Sequence, residues 1–341
     1  TVNIIRTNAN QTWDLTGGLA VTTNINMGHN LTIDGSGNVA LSNRFTNNAN
    51  VTLTINTTGG LDTLDARLRN TITIAGTGDL DISGAIRNYG GNRTFINNSA
   101  GTVTVNNILL SDQTTTNKTL TISGSSDTLV TGIVSNGNST ASGLTKAGDG
   151  TLTLSADNTY TGDTNVNSGT LVLSGQTASG NIAIASAATL ELNVASGTRD
   201  NATNTNFTGT GTLAKTGSGE TQWNSAVVDY ALGSGALIDV REGTFRAATG
   251  GNDTWTNNLS DSTVEAGATF NGAGLQIRVD ELTGDGRILH GYTGTNRLTF
   301  GVDNGSATFS GTLEDFTGAT GEGDVAKRGT GTQTLTGSNT F

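Results

Sequence analysis

Residues Gly143–Gly175 read GLTKAGDGTLTLSADNTYTGDTNVNSGTLVLSG, and parts of this stretch return elsewhere in the chain. Leu144–Tyr160 (LTKAGDGTLTLSADNTY) aligns without a gap on Val325–Phe341 (VAKRGTGTQTLTGSNTF). Lys146 falls on Lys327, Gly148 on Gly329, Gly150 on Gly331, Leu154 on Leu335, Asn158 on Asn339 and Tyr160 on Phe341. A third, shorter copy starts at Leu213 (LAKTGSGETQW), with Lys215, Gly217 and Gly219 in register. The chain has four lysines, and three of them occupy this one repeat position. A unit that recurs along a chain marks a solenoid, in which each coil buries its apolar face against the next.

The composition points the same way. Of 341 residues 49 are glycine, 13% are charged, 5% are aromatic and none is proline, where average usage would give roughly 17 prolines. Proline cannot donate to a backbone ladder, so a chain that is nearly all ladder has few places for it. The 33% hydrophobic content lies in short alternating bursts. Leu31-Thr32-Ile33, Val51-Thr52-Leu53-Thr54-Ile55, Thr71-Ile72-Thr73-Ile74, Leu152-Thr153-Leu154 and Leu171-Val172-Leu173 are examples. Period 2 over three to five residues is the pattern of a strand with one buried face. Gly, Asn, Asp and Ser clusters between the bursts favour turns, and no window carries apolar residues at helical spacing. The chain therefore reads as all-β.

A sandwich of this length would divide into domains joined by linkers, and no linker or break in composition is visible. We expect a parallel β-helix, a single solenoid over 1–341 whose repeat-bearing part is 143–341. At ~20–25 residues per coil and ~4.8 Å per layer it would make about 15 coils over a length on the order of 70 Å. Its narrow interior suits Val, Ile, Leu and Ala better than aromatics, and exposed Asn and Thr would stack as ladders on successive coils. Leu152, Leu154, Leu171 and Leu173 should point inward, with Thr151, Thr153 and Val172 outward.

The copy at 143–171 resembles the passenger-associated transport repeat of type V secreted autotransporter passengers of Gram-negative bacteria. The resemblance rests on Gly143, Leu144, Lys146, Gly148, Gly150, Thr151, Leu152, Leu154, Asn158, Tyr160, Gly162, Thr164, Val166, Gly169 and Leu171. It implies a secreted right-handed β-helix, exposed at the cell surface and often adhesive. It also implies a reason for the absence of cysteine, since such passengers cross the outer membrane unfolded. Thr1–Ile5 already reads as a strand rather than a signal segment, and Phe341 falls inside a repeat. The sequence is read as a mature piece or a domain of a longer protein. No stretch is apolar enough to span a membrane as a helix.

Residues that could carry chemistry are few. His29 and His290 lie far apart in sequence, and His290 reads as a polar turn residue. Trp13, Trp223 and Trp255 would contact sugar if exposed, and otherwise pack. Tyr160 and Phe341 read as packing residues. The repeated lysines are expected to run along the surface to solvent or to pair with a carboxylate of a neighbouring coil. Gly250-Gly251-Asn252-Asp253 has one copy of a motif that binds calcium by repetition. Gly148-Asp149-Gly150 and Gly284-Asp285-Gly286 lack further oxygen ligands. No cofactor is expected. The net charge of −11 argues against nucleic acid, which needs a basic face. The reading favoured is a non-catalytic passenger that attaches to a host or bacterial surface ligand, a glycan or a second copy of itself. Two alternatives stand beside it. One is a fibre subunit stacking end to end through open strand edges. The other is a polysaccharide-active enzyme using paired acids such as Asp79 with Asp81, or Asp280 with Glu281.

Overall fold

A computed structural model describes residues 4–113, 115–176, 180–223, 226–247, 253–272, 276–290, 296–315 and 323–340. Among these there is no helix; every named element is a strand, and the strands pair in parallel into β-solenoid coils, about 14 turns in all. The molecule divides into two compact units, residues 1–171 and 172–341.

In the first unit one column of strands runs Gln11–Leu15, Leu31–Gly35, Val51–Ile55, Ile72–Gly76, Arg93–Asn97, Thr119–Ser123 and Gly143–Lys146. Matching positions are 20 residues apart at Gln11 and Leu31 and 27 apart at Arg93 and Leu120. The coil length therefore varies, and the difference is taken up in the turns. The longer strands Val39–Asn47, Leu61–Leu68 and Leu80–Asn88 turn a corner of the coil. Their register shifts between Leu41 and Arg44 and between Ile82 and Ala85, and such a bulge bends the strand while leaving pairing on both sides. Alternation sets the core. Val51–Ile55 is buried at each odd position and half-buried between. Leu152, Leu154, Leu171 and Leu173 are buried with Thr151, Thr153 and Val172 less so, which is the register the sequence predicts.

Among its described residues the second unit shows three columns and a separate pair, Asn296–Phe300 with Gly323–Lys327. Asn181–Ile184, Thr205–Gly209 and Val228–Leu232 form one. Ala188–Asn193, Thr212–Thr216, Leu237–Val240 and Asp261–Val264 form another. Thr198–Asp200 through Thr244–Arg246, Thr269–Asn271, Arg287–His290 and Thr312–Asp315 form the third. Its core departs from the aliphatic interior expected. Phe207, Trp223, Tyr230, Phe245, Trp255 and Phe270 form a continuous buried aromatic stack. Tyr230 lies on Trp255 with ring centroids 4.1 Å apart, and Phe245 meets Phe270 edge-on at 5.4 Å. The rings supply large buried area and favourable offset and edge contacts.

Several outward asparagines use the side-chain oxygen to accept from a backbone N–H one coil away. Asn30 accepts from Thr52 N at 2.8 Å, Asn50 from Thr71 N at 3.1 Å, and Asn117 from Ala141 N at 2.9 Å. Asp79 and Asp127 do the same for Thr102 N and Thr151 N, each at 2.7 Å. These bonds satisfy donors at corners where the ladder is interrupted.

Candidate functional site

The repeat residues converge on one device. Lys146 ends the strand Gly143–Lys146, and its side chain is buried, 2% exposed. Its ammonium donates to Ala147 O at 2.8 Å and Gly148 O at 2.7 Å in the turn that follows, and to Ser168 O at 3.0 Å, 22 residues later. Lys215 is 1% exposed and repeats this bond for bond, donating to Thr216 O and Gly217 O at 2.7 Å and to Glu242 O at 3.1 Å. Each ammonium thus gathers three carbonyls from two coils. Lys146 and Lys215 neither run out to solvent nor hydrogen-bond a carboxylate, contrary to the sequence expectation. A turn closed by glycine aims its carbonyls inward, and a buried cation with three donors satisfies them better than water could. Lys327 keeps part of the device on the surface: its exposed ammonium donates to Arg328 O and, at 3.5 Å, to Gly329 O. Burial holds the Lys146 ammonium below its usual value, against the pull of Asp149 and Asp127. Burial and then Arg199 push Lys215 down to about 8, with Glu242 opposing.

The glycines complete the geometry. Gly148 has φ +70°, a left-handed conformation that glycine adopts without strain. A Cβ on Gly150 would collide with Ser126 O on the coil before. Lys-x-Gly-x-Gly therefore encodes a tight turn, a close backbone approach and the cation that serves it. Gly217 and Gly329 also have positive φ, while Gly219 and Gly331 lie against Gly197 O and Gly305 O.

The Asn-Thr pair has a matching role in both longer copies. Asn158 Oδ1 accepts Val134 N at 3.0 Å while Thr159 N donates to Val134 O at 2.9 Å. Asn339 Oδ1 accepts Leu313 N at 3.0 Å while Thr340 N donates to Leu313 O at 2.9 Å. Each pair brackets one residue of the preceding coil and so fixes inter-coil register. Tyr160 is 2% exposed, and its hydroxyl lies 2.7 Å from Thr164 Oγ1; burial raises it to about 12. Leu152 and Leu154 fill the core above it, and Leu335 is half-buried. Phe341 lies outside the described residues.

The residues considered for chemistry fall in separate places. His290 is buried, not in an exposed turn: it ends the strand Arg287–His290, where Ile288 and Leu289 are buried too. Burial lowers its imidazole, opposed by Asp315 and Asp324. Trp223 and Trp255 belong to the aromatic core and Trp13 is half-buried. Asp79 is held below the usual carboxylate range by its bond from Thr102 N, and Asp81 is exposed on the next strand. Asp280 is 7% exposed and accepts Asp303 N at 2.7 Å and Gly305 N at 3.0 Å, while Glu281 accepts Ser306 N at 3.0 Å. These carboxylates cap a turn. Among the described residues no group of three or more His, Asp or Glu is placed to hold a metal ion; Gly250, Gly251 and Asn252 lie outside them.

The fold and the repeat together define a β-solenoid built of coil-closing turn units. Residues 144–173 and 325–341 match the family model of the passenger-associated transport repeat. Over these two segments the coils are similar to a repeat typical of autotransporter passenger domains. No curated protein and no solved structure shows a match. The Lys215 copy lies outside the matched residues, yet its hydrogen bonds identify it as the same device.

Proposed function

We propose that this chain is an adhesin or stalk, carried to the surface of a Gram-negative bacterium as part of a passenger and acting without catalysis of its own. The observation that carries this reading is where the repeat directs its polar groups. Lys146, Lys215, Asn158 and Asn339 all bond to backbone of neighbouring coils, so what the repeat specifies is coil geometry. Of the paired acids that an enzyme would use, Asp79, Asp280 and Glu281 are engaged with backbone N–H groups as turn caps, which suits structure better than proton transfer. A surface built of stacked coils offers the same kind of polar strip many times, and many copies on one cell convert weak contacts into firm attachment.

The test is display of the chain on beads or on a non-adherent bacterium. Adhesion to a surface, a glycan array or to each other, well above that of bare carriers, is expected. Sugar release from any polysaccharide by the purified chain would replace the reading with an enzymatic one.

A further inference from the structure

The first unit hides a basic face within an acidic chain. Residues 1–113 contain six arginines and no lysine. Backbone register places Arg6 opposite Asn26, Asn26 opposite Thr46, Thr46 opposite Arg67 and Arg67 opposite Arg87. These five positions form one row across five coils. Arg44 is two residues from Thr46 on the same strand, and Arg69 follows the strand that holds Arg67. Arg6, Arg44, Arg67 and Arg69 line one groove of about 510 Å³, floored by Asn24, Asn26 and Thr46.

The charges in this groove are only partly balanced by the protein. Asp112 pairs with Arg67 at 3.3 Å and with Arg87 at 3.1 Å, and Asp65 pairs with Arg87 at 2.8 Å. Among the described residues no carboxylate pairs with Arg6, Arg44 or Arg69. Arg44 Nε and Arg67 Nε are shielded from water and make no hydrogen bond, nor does Asn24 Oδ1. Buried donors without partners are uncommon and call for an explanation. Arg67 is held below the usual guanidinium value by burial first and then by Arg44, with Asp112 opposing. Gathering like charges costs free energy that the fold does not recover.

We infer that this groove binds a linear anionic glycan, its sulfate or carboxylate groups held by Arg6, Arg44, Arg67 and Arg69. Guanidinium groups take such anions through paired, charge-assisted hydrogen bonds. Asn24, Asn26 and Thr46 supply the amide and hydroxyl groups that sugar hydroxyls need. Three coil steps of ~4.8 Å separate Arg6 from Arg67 by about 14 Å, a span for a short oligosaccharide lying along the coil axis. Nucleic acid fits less well. It uses free aromatic faces for its bases, and the ring at this site, Tyr89, already carries Arg67 and Arg69 at 4.7 and 4.6 Å. The inference rests on the attachment reading for the ligand's setting, and it stands or falls separately on binding.

The experiment titrates the whole purified chain with heparin fragments, hyaluronan fragments, neutral dextran and single-stranded DNA at about 150 mM salt. Binding to one or both anionic glycans, none to dextran, and at least about tenfold weakening in about 0.5 M salt are expected. The variant Arg6→Gln/Arg44→Gln/Arg69→Gln, whose residues make no ion pair, should lose at least about tenfold in affinity while melting at or above the wild-type temperature. If this variant unfolds, Arg6→Gln alone, at an exposed position, should still weaken binding. Wild-type affinity in a folded variant, no binding to either glycan, or tighter binding to DNA would each overturn the inference. Displayed chain that adheres equally with and without soluble heparin also overturns it, and leaves attachment standing. Heparin binding by purified chain whose displayed form adheres to nothing supports the site and removes the attachment reading.

Discussion

Replacing Lys146 with methionine keeps the length and apolar stem of the side chain and deletes only the ammonium. Three carbonyls then lose a charged donor: Ala147 O, Gly148 O and Ser168 O. Gly148 O retains the hydroxyl of Ser168 at 3.2 Å, so two are left bare. Each charge-assisted bond contributes about 1.5–3 kcal/mol and each orphaned buried group costs about 1–3 kcal/mol. Against this stands the desolvation of one ammonium, several kcal/mol in real proteins, which methionine relieves. The net loss should be about 2–4 kcal/mol. At about 2–4 °C per kcal/mol for a unit of this size, the melting temperature should fall by about 4–16 °C. Lys327→Met is the control, because its ammonium is exposed and surface changes stay within about 0.5 kcal/mol. Urea unfolding followed by far-UV circular dichroism measures both. A Lys146→Met midpoint that moves no further than that of Lys327→Met refutes the capping argument.

Leu154→Asp places an unpaired carboxylate at a fully buried site and should cost at least about 4 kcal/mol; an unchanged melting temperature would mean the inward register is wrong. Asn158→Ala leaves Val134 N without its acceptor and should cost about 1–3 kcal/mol, read as faster hydrogen exchange at Val134 as well as a lower urea midpoint. Tyr160 gives a pH signature: its phenol is raised to about 12 in the folded chain and titrates near 10 unfolded. The stability from its neutral form is complete below pH 10 and lost as pH rises towards 12, up to about 3 kcal/mol; Tyr160→Phe should remove that slope, and an identical slope in the variant assigns it elsewhere.

The inward set Leu152, Leu154, Leu171 and Leu173 was readable because alternation has only two phases, and burial of one face chooses between them. The solenoid was readable because Lys146, Lys215 and Lys327 recur with their glycines. The role of those lysines was not, since an ammonium in a polar repeat is by default a surface group. The available signal was glycine at the second and fourth following positions, which marks carbonyls that need a donor. The aromatic core of the second unit escaped because Phe207 and Tyr230 lie on one column and Phe245 and Phe270 on another, and only the fold brings the two sets together. His290 was taken for a turn residue because Gly291 follows it in sequence, yet it closes a buried strand. The arginine groove needed the register itself. Arg6, Arg44 and Arg67 are scattered in sequence, and only the pairing of successive coils brings them to one face.

A parallel solenoid has a particular weakness, which is that one aliphatic layer resembles the next. Leucine over leucine does not tell a coil which neighbour it has. Buried polar groups do, because each has one correct partner. Asn47 donates to Asn70 O at 2.8 Å and Thr71 O at 3.0 Å, Asn88 to Leu110 O at 2.9 Å, and Arg199 to Leu173 O and Gly175 O at 2.8 and 2.9 Å. With Lys146, Lys215 and Asn158 they make every slip leave buried groups unpaired, at about 1–3 kcal/mol each. Uniqueness is thus written into a few interior polar side chains. The outward positions between them carry little of that duty, and threonine or asparagine serves there at low cost. An outward patch that instead collects guanidinium groups without carboxylate partners, as Arg6, Arg44 and Arg69 are, opposes folding through their repulsion. Its presence on a face the fold leaves free is the physical reason to look for an anion there.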